Sequence, residues 1–149
     1  MALLRVDAEL AHLAQVRQFV ETAALALGAP ADIADALVLA VDECATNVIE
    51  HGYGGRGGQL EVEIRRDGRA VDAVLIVVLR DNAPLFDPTQ LPQPDVSRPL
   101  EERPVGGLGA FLVRQLVDRV DYRVTARGGN ELTLVKRLAG AAPAQGEGS

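Results

Sequence analysis

The chain has 149 residues, of which 48% are hydrophobic, a single cysteine (Cys44) and a net charge of −6. This size suits one domain with a real core, and no apolar run approaches the ~20 residues of a membrane span. The acidic balance excludes a nucleic-acid surface, which needs a basic excess, while one cysteine excludes an internal disulfide and a cysteine-built metal site and fits a reducing cytoplasm.

Leu3 to Val6 predicts a short first strand, and the early acids of "MALLRVDAEL" do not fit a signal peptide. Leu10, Leu13, Val16, Val20, Ala24 and Leu27 recur every three or four residues, the stripe of an amphipathic helix. His12 falls on it as an exposed residue without function. Gly28 to Pro30 stops this helix. A second helix is expected from near Asp32, with Ile33, Leu37, Ala40 or Val41, Cys44 and Val48 on its apolar face and "HGYGGRGG" (His51 to Gly58) at its end. In "QLEVEIRRDG", Leu60, Val62 and Ile64 alternate with polar residues, the period of a half-buried strand. Asp67-Gly68 reads as a hairpin turn, and "VDAVLIVVLRD" as a more deeply buried strand. Residues 82–105 then hold six of the eight prolines and no regular period, the texture of a lid. "AFLVRQLVD", following "GGLG", is a third amphipathic helix, and "DYRVTA" and "NELTLVKRL" are two last strands around "RGG". Residues 139–149 read as a disordered tail, leaving one domain over residues 1–138.

Glu43, Asn47 and His51 are spaced i, i+4, i+8 and share a helical face about 40° wide per step, offset from the apolar stripe. A carboxylate one turn before a carboxamide suits phosphoryl transfer: the carboxylate accepts a proton from an attacking hydroxyl, and the amide oxygen is a hard ligand for Mg²⁺. The same three residues also read as solvated polar positions on an amphipathic helix. Asp81 closes a buried strand, where a carboxylate either forms a turn or accepts a hydrogen bond from an amino group such as that of adenine. "VGGLGAF" sets Gly106, Gly107 and Gly109 just before a helix, an arrangement that serves either a loop turn or a phosphate held on backbone N–H groups.

Taken in order, Glu43-x-x-x-Asn47, Asp81 with "FDP" close behind, "GGLGAFLVRQLVDRVDY" and "NELTLVKRL" resemble the GHKL ATPases with the Bergerat nucleotide fold. Within them the chain is similar to the stand-alone anti-sigma factor serine/threonine kinases of bacterial partner switching, over about Leu10 to Leu138. The resemblance implies ATP and Mg²⁺ as cofactors, Glu43 as general base, Asn47 as magnesium ligand and Asp81 as the acid that reads the adenine amino group. It implies that Gly106, Gly107, Leu108 and Gly109 lie along the phosphates, and that His51 and Gly52 form the structural end of the first box. The partners it implies are an antagonist protein, phosphorylated on serine or threonine, and a sigma factor or comparable effector that is sequestered. A homodimer is implied on family grounds alone. One departure stands out. The family pattern after the adenine-reading Asp is D-x-G-x-G or D-x-G-x-P, and here Ala83 and Leu85 replace those positions. This departure supports an alternative function, a non-catalytic or nucleotide-free module that only holds its partner; a third reading is plain ATP hydrolysis with Glu43 activating water.

Other sites are set aside on order and spacing. "GYGGRG" matches a dinucleotide fingerprint in letters, but it runs helix–loop–strand where that motif needs strand–loop–helix. The only lysine, Lys136, sits in the last strand, so no phosphate-binding P-loop exists. Cys44 falls on the apolar stripe and reads as packing rather than as a nucleophile paired with His51. The expected fold is a two-layer α/β sandwich, β-α-α-β-β-lid-α-β-β, with a mixed, mostly antiparallel sheet and helices on one face.

Overall fold

The structure, a computed structural model, describes residues 1–90 and 107–139, the side chains of residues 107–111 excepted. Most of the expected lid, Gly106 and nearly all of the expected tail lie outside the described residues. The chain forms β1 (Ala2–Asp7), a 3-10 turn (Leu10–His12), α1 (Leu13–Ala26), α2 (Ala31–Asn47), a π-helical turn (Val48–Gly52), β2 (Gln59–Asp67), β3 (Val74–Asp81), a second 3-10 turn (Pro88–Gln90), α3 (Gly107–Leu116), β4 (Arg119–Val124) and β5 (Asn130–Arg137). Among these, no helix is long and apolar enough to cross a membrane.

The strands alternate, so each sheet face has its own chemistry. Leu60, Val62 and Ile64 of β2, Leu75, Val77 and Leu79 of β3 and Leu134 of β5 are all buried on one face. Against them pack Val16, Val20 and Ala24 of α1, Ile33, Leu37, Val41 and Cys44 of α2, and Val113 of α3. Each fully buried Leu, Ile or Val in such a core contributes about 1.5–3 kcal/mol, so one shared apolar layer holds all three helices to a single face.

The sheet order is β1-β2-β3-β5-β4, and all four pairings are antiparallel. β3 and β4 run parallel to each other, as a β-α-β crossover requires, but β5 is inserted between them; the sheet expected to be mixed is therefore wholly antiparallel. The expected hairpin after β2 is wider than a tight turn. Gly68 does take the positive φ (+93°), but Asp67 pairs with Val74, and a further turn closes on the 3.0 Å bond from Ala73 N–H to the Ala70 carbonyl. His12 also differs from expectation. It is half-buried, and its Nδ1 lies 2.9 Å from the Asp7 carbonyl oxygen, tying the start of the helical layer to the end of β1.

On the outer face one row of opposed charges crosses the whole sheet. Arg5 faces Glu61, Glu61 faces Arg80, Arg80 faces Glu131, and Glu131 faces Arg123 in direct cross-strand register. Arg80 Nη1 donates to Glu61 at 2.7 Å and Glu63 at 3.1 Å, and its Nε donates to Glu131 at 2.8 Å; Arg5 and Arg123 close the ends. Opposite charges in directly facing positions favour this register over its neighbours.

Arg80 is the centre of that row, so Arg80→Met should destabilise the fold at neutral pH by about 1–3 kcal/mol, by leaving three carboxylates short of a donor. Glu61 is held below its ordinary value of 4.5 by the hydrogen bonds from Arg5 and then Arg80, and Glu131 by those from Arg123 and then Arg80. Stability from such lowered carboxylates is present above the unfolded value and is lost as pH falls through the folded one. Urea melts of both proteins should therefore show a gap at pH 7 that narrows at about pH 3.5; an equal gap at both would contradict the charge-row account.

Candidate functional site

A cavity of about 470 Å³ opens between the C-terminal end of α2, the end of β3, the loop that follows it, α3 and the β4–β5 pair. Its size is that of a small-molecule site, and its walls are largely apolar, with Asn47, His51, Asp81, Tyr122 and Asn130 as polar points and Arg56 and Arg114 as cations.

Asp81 is the last residue of β3 and is only 8% exposed. Its Oδ1 accepts two hydrogen bonds, from Ala83 N–H at 2.9 Å and from Asn130 Nδ2 at 2.8 Å. Its Oδ2 has no partner among the described residues. Burial pushes the carboxyl above its ordinary 3.8, and the two donated bonds pull the other way. A buried acceptor with a free lone pair on a cavity wall is costly unless something donates to it; an amino group of a bound molecule meets that need.

Asn130 faces Asp81 directly across the β3–β5 pair, and every polar valence of its carboxamide is used. Nδ2 donates to Asp81 and to the carbonyls of Ala83 (3.2 Å) and Pro84 (3.4 Å), and Oδ1 accepts from Phe86 N–H (3.1 Å) and the Tyr122 hydroxyl (2.5 Å). On the other side, the buried Tyr53 accepts from Asn82 N–H at 2.8 Å and donates to the Gln59 carbonyl at 2.8 Å. The loop therefore turns without the glycines of the family pattern: among the described residues no non-glycine has a positive φ, Ala83 and Leu85 included. Gly52 completes the fit. A Cβ there would lie 3.0 Å from the Ala83 Cβ, so these two positions have room for one methyl between them. Farther on, Arg114 Nη2 donates to the carbonyls of Pro88 (3.3 Å) and Thr89 (2.9 Å), docking the loop on α3.

The helix motif is divided by the structure. Asn47 is half-buried on the cavity wall, and its carboxamide has no partner among the described residues. Glu43, one turn earlier, is half-buried and equally unpaired, but the wall passes through Cys44, Asn47, Val48 and His51 and leaves Glu43 off it. The π-helical turn begins directly after Asn47; Tyr53 N–H reaches back to the Val48 carbonyl at 2.8 Å. Such wide turns re-aim side chains near sites, and here His51 comes to the cavity mouth, exposed. Cys44 is buried, with its thiol pushed up to about 12 by desolvation and then by the Glu43 charge, so it is a packing residue and not a nucleophile. Gly107, Leu108 and Gly109 form the first turn of α3 rather than preceding it, so the free N–H groups that suit an anion lie on these residues themselves. Gly106 lies outside the described residues. Asn130, Tyr122 and Arg56 went unremarked in the sequence. The available signal for Asn130 was parity: in "NELTLV" it shares a face with Leu132 and Leu134, and a polar residue at an inward position needs a partner.

No group of three or more His, Cys, Asp or Glu side chains among the described residues could cage a metal. A single amide such as Asn47 is still a fitting ligand for Mg²⁺, which is commonly held by one or two side chains together with substrate phosphates. The description "histidine kinase-like ATPase domain" belongs to the family model that matches residues 6–136. The serine/threonine-protein kinase BtrW of Bordetella bronchiseptica is 30% identical over 104 residues, 69% of this chain and 70% of that protein. The serine-protein kinase RsbW of Bacillus cereus is 27% identical over 121 residues, 78% of this chain and 73% of that one. A crystal structure of the RsbU and RsbW domains of a Mycobacterium tuberculosis protein shares the fold, with a TM-score of 0.57 at 19% identity; the alignment covers 93% of this chain and spans only 33% of that longer one. ATP binding is what an ATPase domain with relatives of this kind implies. The family match runs from Val6 to Lys136 and leaves out little but the two ends, and on it the chain belongs to the histidine kinase-like ATPase family.

Proposed function

We propose that this protein is an ATP-dependent serine/threonine kinase and anti-sigma factor, which phosphorylates an antagonist protein and sequesters a sigma factor or comparable effector. The observation that carries the reading is Asp81: a buried carboxylate with one oxygen fixed by the protein and the other without a partner among the described residues, on the wall of a cavity that also presents Asn47. Asp81 accepts from the adenine amino group; the apolar walls exclude water around the base. The uncommitted carboxamide of Asn47 would hold Mg²⁺, and the first turn of α3 offers backbone N–H groups to the phosphates. Bound ATP supplies the transferable phosphoryl group. Glu43 receives the proton of the incoming hydroxyl; with no ion pair to break among the described residues, it is available as a base. Its place off the wall supports a role toward a second substrate that approaches past Asn47 rather than toward ATP itself. The reading as a non-catalytic module rested on Ala83 and Leu85, and the hydrogen bonds that close that loop without glycine speak for an intact nucleotide site instead. Incubation with labelled ATP and the candidate antagonist tests the whole proposal: phosphate should appear on a serine or threonine of the antagonist, and effector binding without any transfer would favour the module.

Asp81→Asn keeps an oxygen for Asn130 and Ala83 but removes the buried charge. Because the folded carboxyl is raised above 3.8, the fold favours the protonated form, and stability is lost as pH rises through the folded value. The variant should melt higher than wild type at pH 7, with the gap closing as pH falls toward 3.8. By calorimetry it should bind ATP about 10- to 100-fold more weakly, the scale of a hydrogen bond to a charged group. Lower stability at pH 7 together with unchanged ATP affinity would remove Asp81 from the site.

Two helix variants separate metal from base. Asn47→Ala should abolish the magnesium dependence of ATP affinity with the helix intact, since Ala is the better helix former. Glu43→Gln should bind Mg-ATP and both protein partners as wild type does yet transfer phosphate ~10²–10⁴-fold more slowly. Side-by-side binding and single-turnover assays check both; full phosphorylation by the Glu43 variant would refute the base.

A further inference from the structure

Among the described residues, Asn130 is the one side chain that hydrogen-bonds both the Asp81 carboxylate and the loop beyond it. It opens β5, faces Asp81 in register, is 7% exposed, and holds Ala83, Pro84 and Phe86 by their backbone groups. A carboxamide has two N–H groups and two strong lone-pair directions, and all are engaged here, the last by the Tyr122 hydroxyl. Asn130 is thus left with nothing to offer a ligand. Its effect on one must pass through what it holds.

We propose that Asn130, oriented by Tyr122, is the positioning residue for nucleobase recognition: by taking Asp81 Oδ1 and clamping the loop at Ala83 and Phe86, it leaves Oδ2 as the single acceptor presented to the base and replaces the glycine turn this chain lacks. This rests on ATP being the ligand. With Oδ1 already saturated by Asn130 and Ala83, an amino group placed against Oδ2 is the one group that completes the carboxylate, and a carbonyl at the same place meets it lone pair to lone pair. Asn130 therefore governs discrimination between a 6-amino and a 6-oxo purine more than it governs affinity for the triphosphate.

The test compares ATP with inosine triphosphate, both with Mg²⁺, on wild type, Asn130→Asp and Tyr122→Phe by calorimetry. Asn130→Asp is nearly isosteric and keeps an acceptor for Tyr122 and Phe86, but it has no N–H and sets a second carboxylate against Asp81. It should lose about 10- to 100-fold of the preference for ATP, the worth of an interaction with a charged partner, while inosine triphosphate affinity stays within about threefold. Tyr122→Phe, at a half-exposed site that leaves the core untouched, should lose a smaller part of the same preference, and it carries the test if the Asp variant does not fold. Preference retained in both variants, or ATP and inosine triphosphate weakened in parallel, would overturn a positioning role. A wild type that binds the two nucleotides alike would overturn adenine recognition and the proposal with it. The clamp itself is read separately, without nucleotide, by amide hydrogen exchange: the Phe86 N–H, held by Asn130 Oδ1, should be protected in wild type and lose at least about tenfold of that protection in Asn130→Ala, which removes its acceptor. Equal exchange would show that no clamp exists.

Discussion

Everything at the site depends on β3 and β5 being paired in one register, the one that sets Asp81 opposite Asn130. The next position along the same strands sets Arg80 opposite Glu131, on the other face. A slip of one residue would turn Arg80 into the core and Asp81 to solvent. The row of alternating charges from Arg5 to Arg123 opposes that slip, since each strand in it meets an opposite charge on its neighbour. Most single pairs in the row are partly exposed and each is worth little, but a row that spans every strand acts on register, where a small bias repeated across the sheet is enough.

From that pairing the rest of the Asp81 side of the cavity follows. Asp81 is buried because the last inward position of a buried strand is buried, and the cost of its charge is met on one oxygen only. Asn130 and the Ala83 amide offset part of that cost, and the second oxygen is left for a ligand. The loop beyond is held by the same carboxamide and by Tyr53. Ala83 fits because Gly52, at the end of the π-helical turn, contributes no methyl of its own. An expected glycine at the helix end and an unexpected alanine in the loop, distant in sequence, are thus one steric arrangement.

The α2 side of the site is built differently. Glu43 and Asn47 both sit half-buried on α2 without side-chain partners among the described residues, which a helix optimised for stability alone would avoid. Their neighbour Cys44 is buried in the core and borders the cavity, so one turn of helix carries packing on one side and polar groups on the other.

Much of this was legible in the sequence. The apolar stripes of α1 and α2, the alternation in β2 and the Asp at the end of β3 are local patterns, and local patterns carry through folding. Asp81 and Asn47, both on the cavity wall, were legible as candidates because a chemically demanding residue stands at the end of a regular element. Asn130 was not, because its meaning lies in what faces it across 49 residues of chain, and register cannot be counted through a long proline-rich loop. The all-antiparallel sheet escaped for the same reason: only the insertion of β5 between β3 and β4 removes the parallel pair. The wide turn after Asn47 was hidden because a π-turn has the same composition as a frayed helix end, and Glu43 falls off the cavity wall because it lies about 100° round the helix from Cys44, beyond the arc that Asn47, Val48 and His51 occupy.

The central claim is that the free oxygen of Asp81 receives the amino group of adenine. The most direct measurement is the carbon-13 resonance of the Asp81 side-chain carboxyl, assigned by comparison with Asp81→Asn, as Mg-ATP and then Mg-GTP are titrated into the protein. The account predicts a saturable displacement with ATP that tracks its binding, and none with GTP at the same concentration. ATP binding to saturation with the Asp81 resonance unmoved, or an equal displacement by GTP, would contradict it.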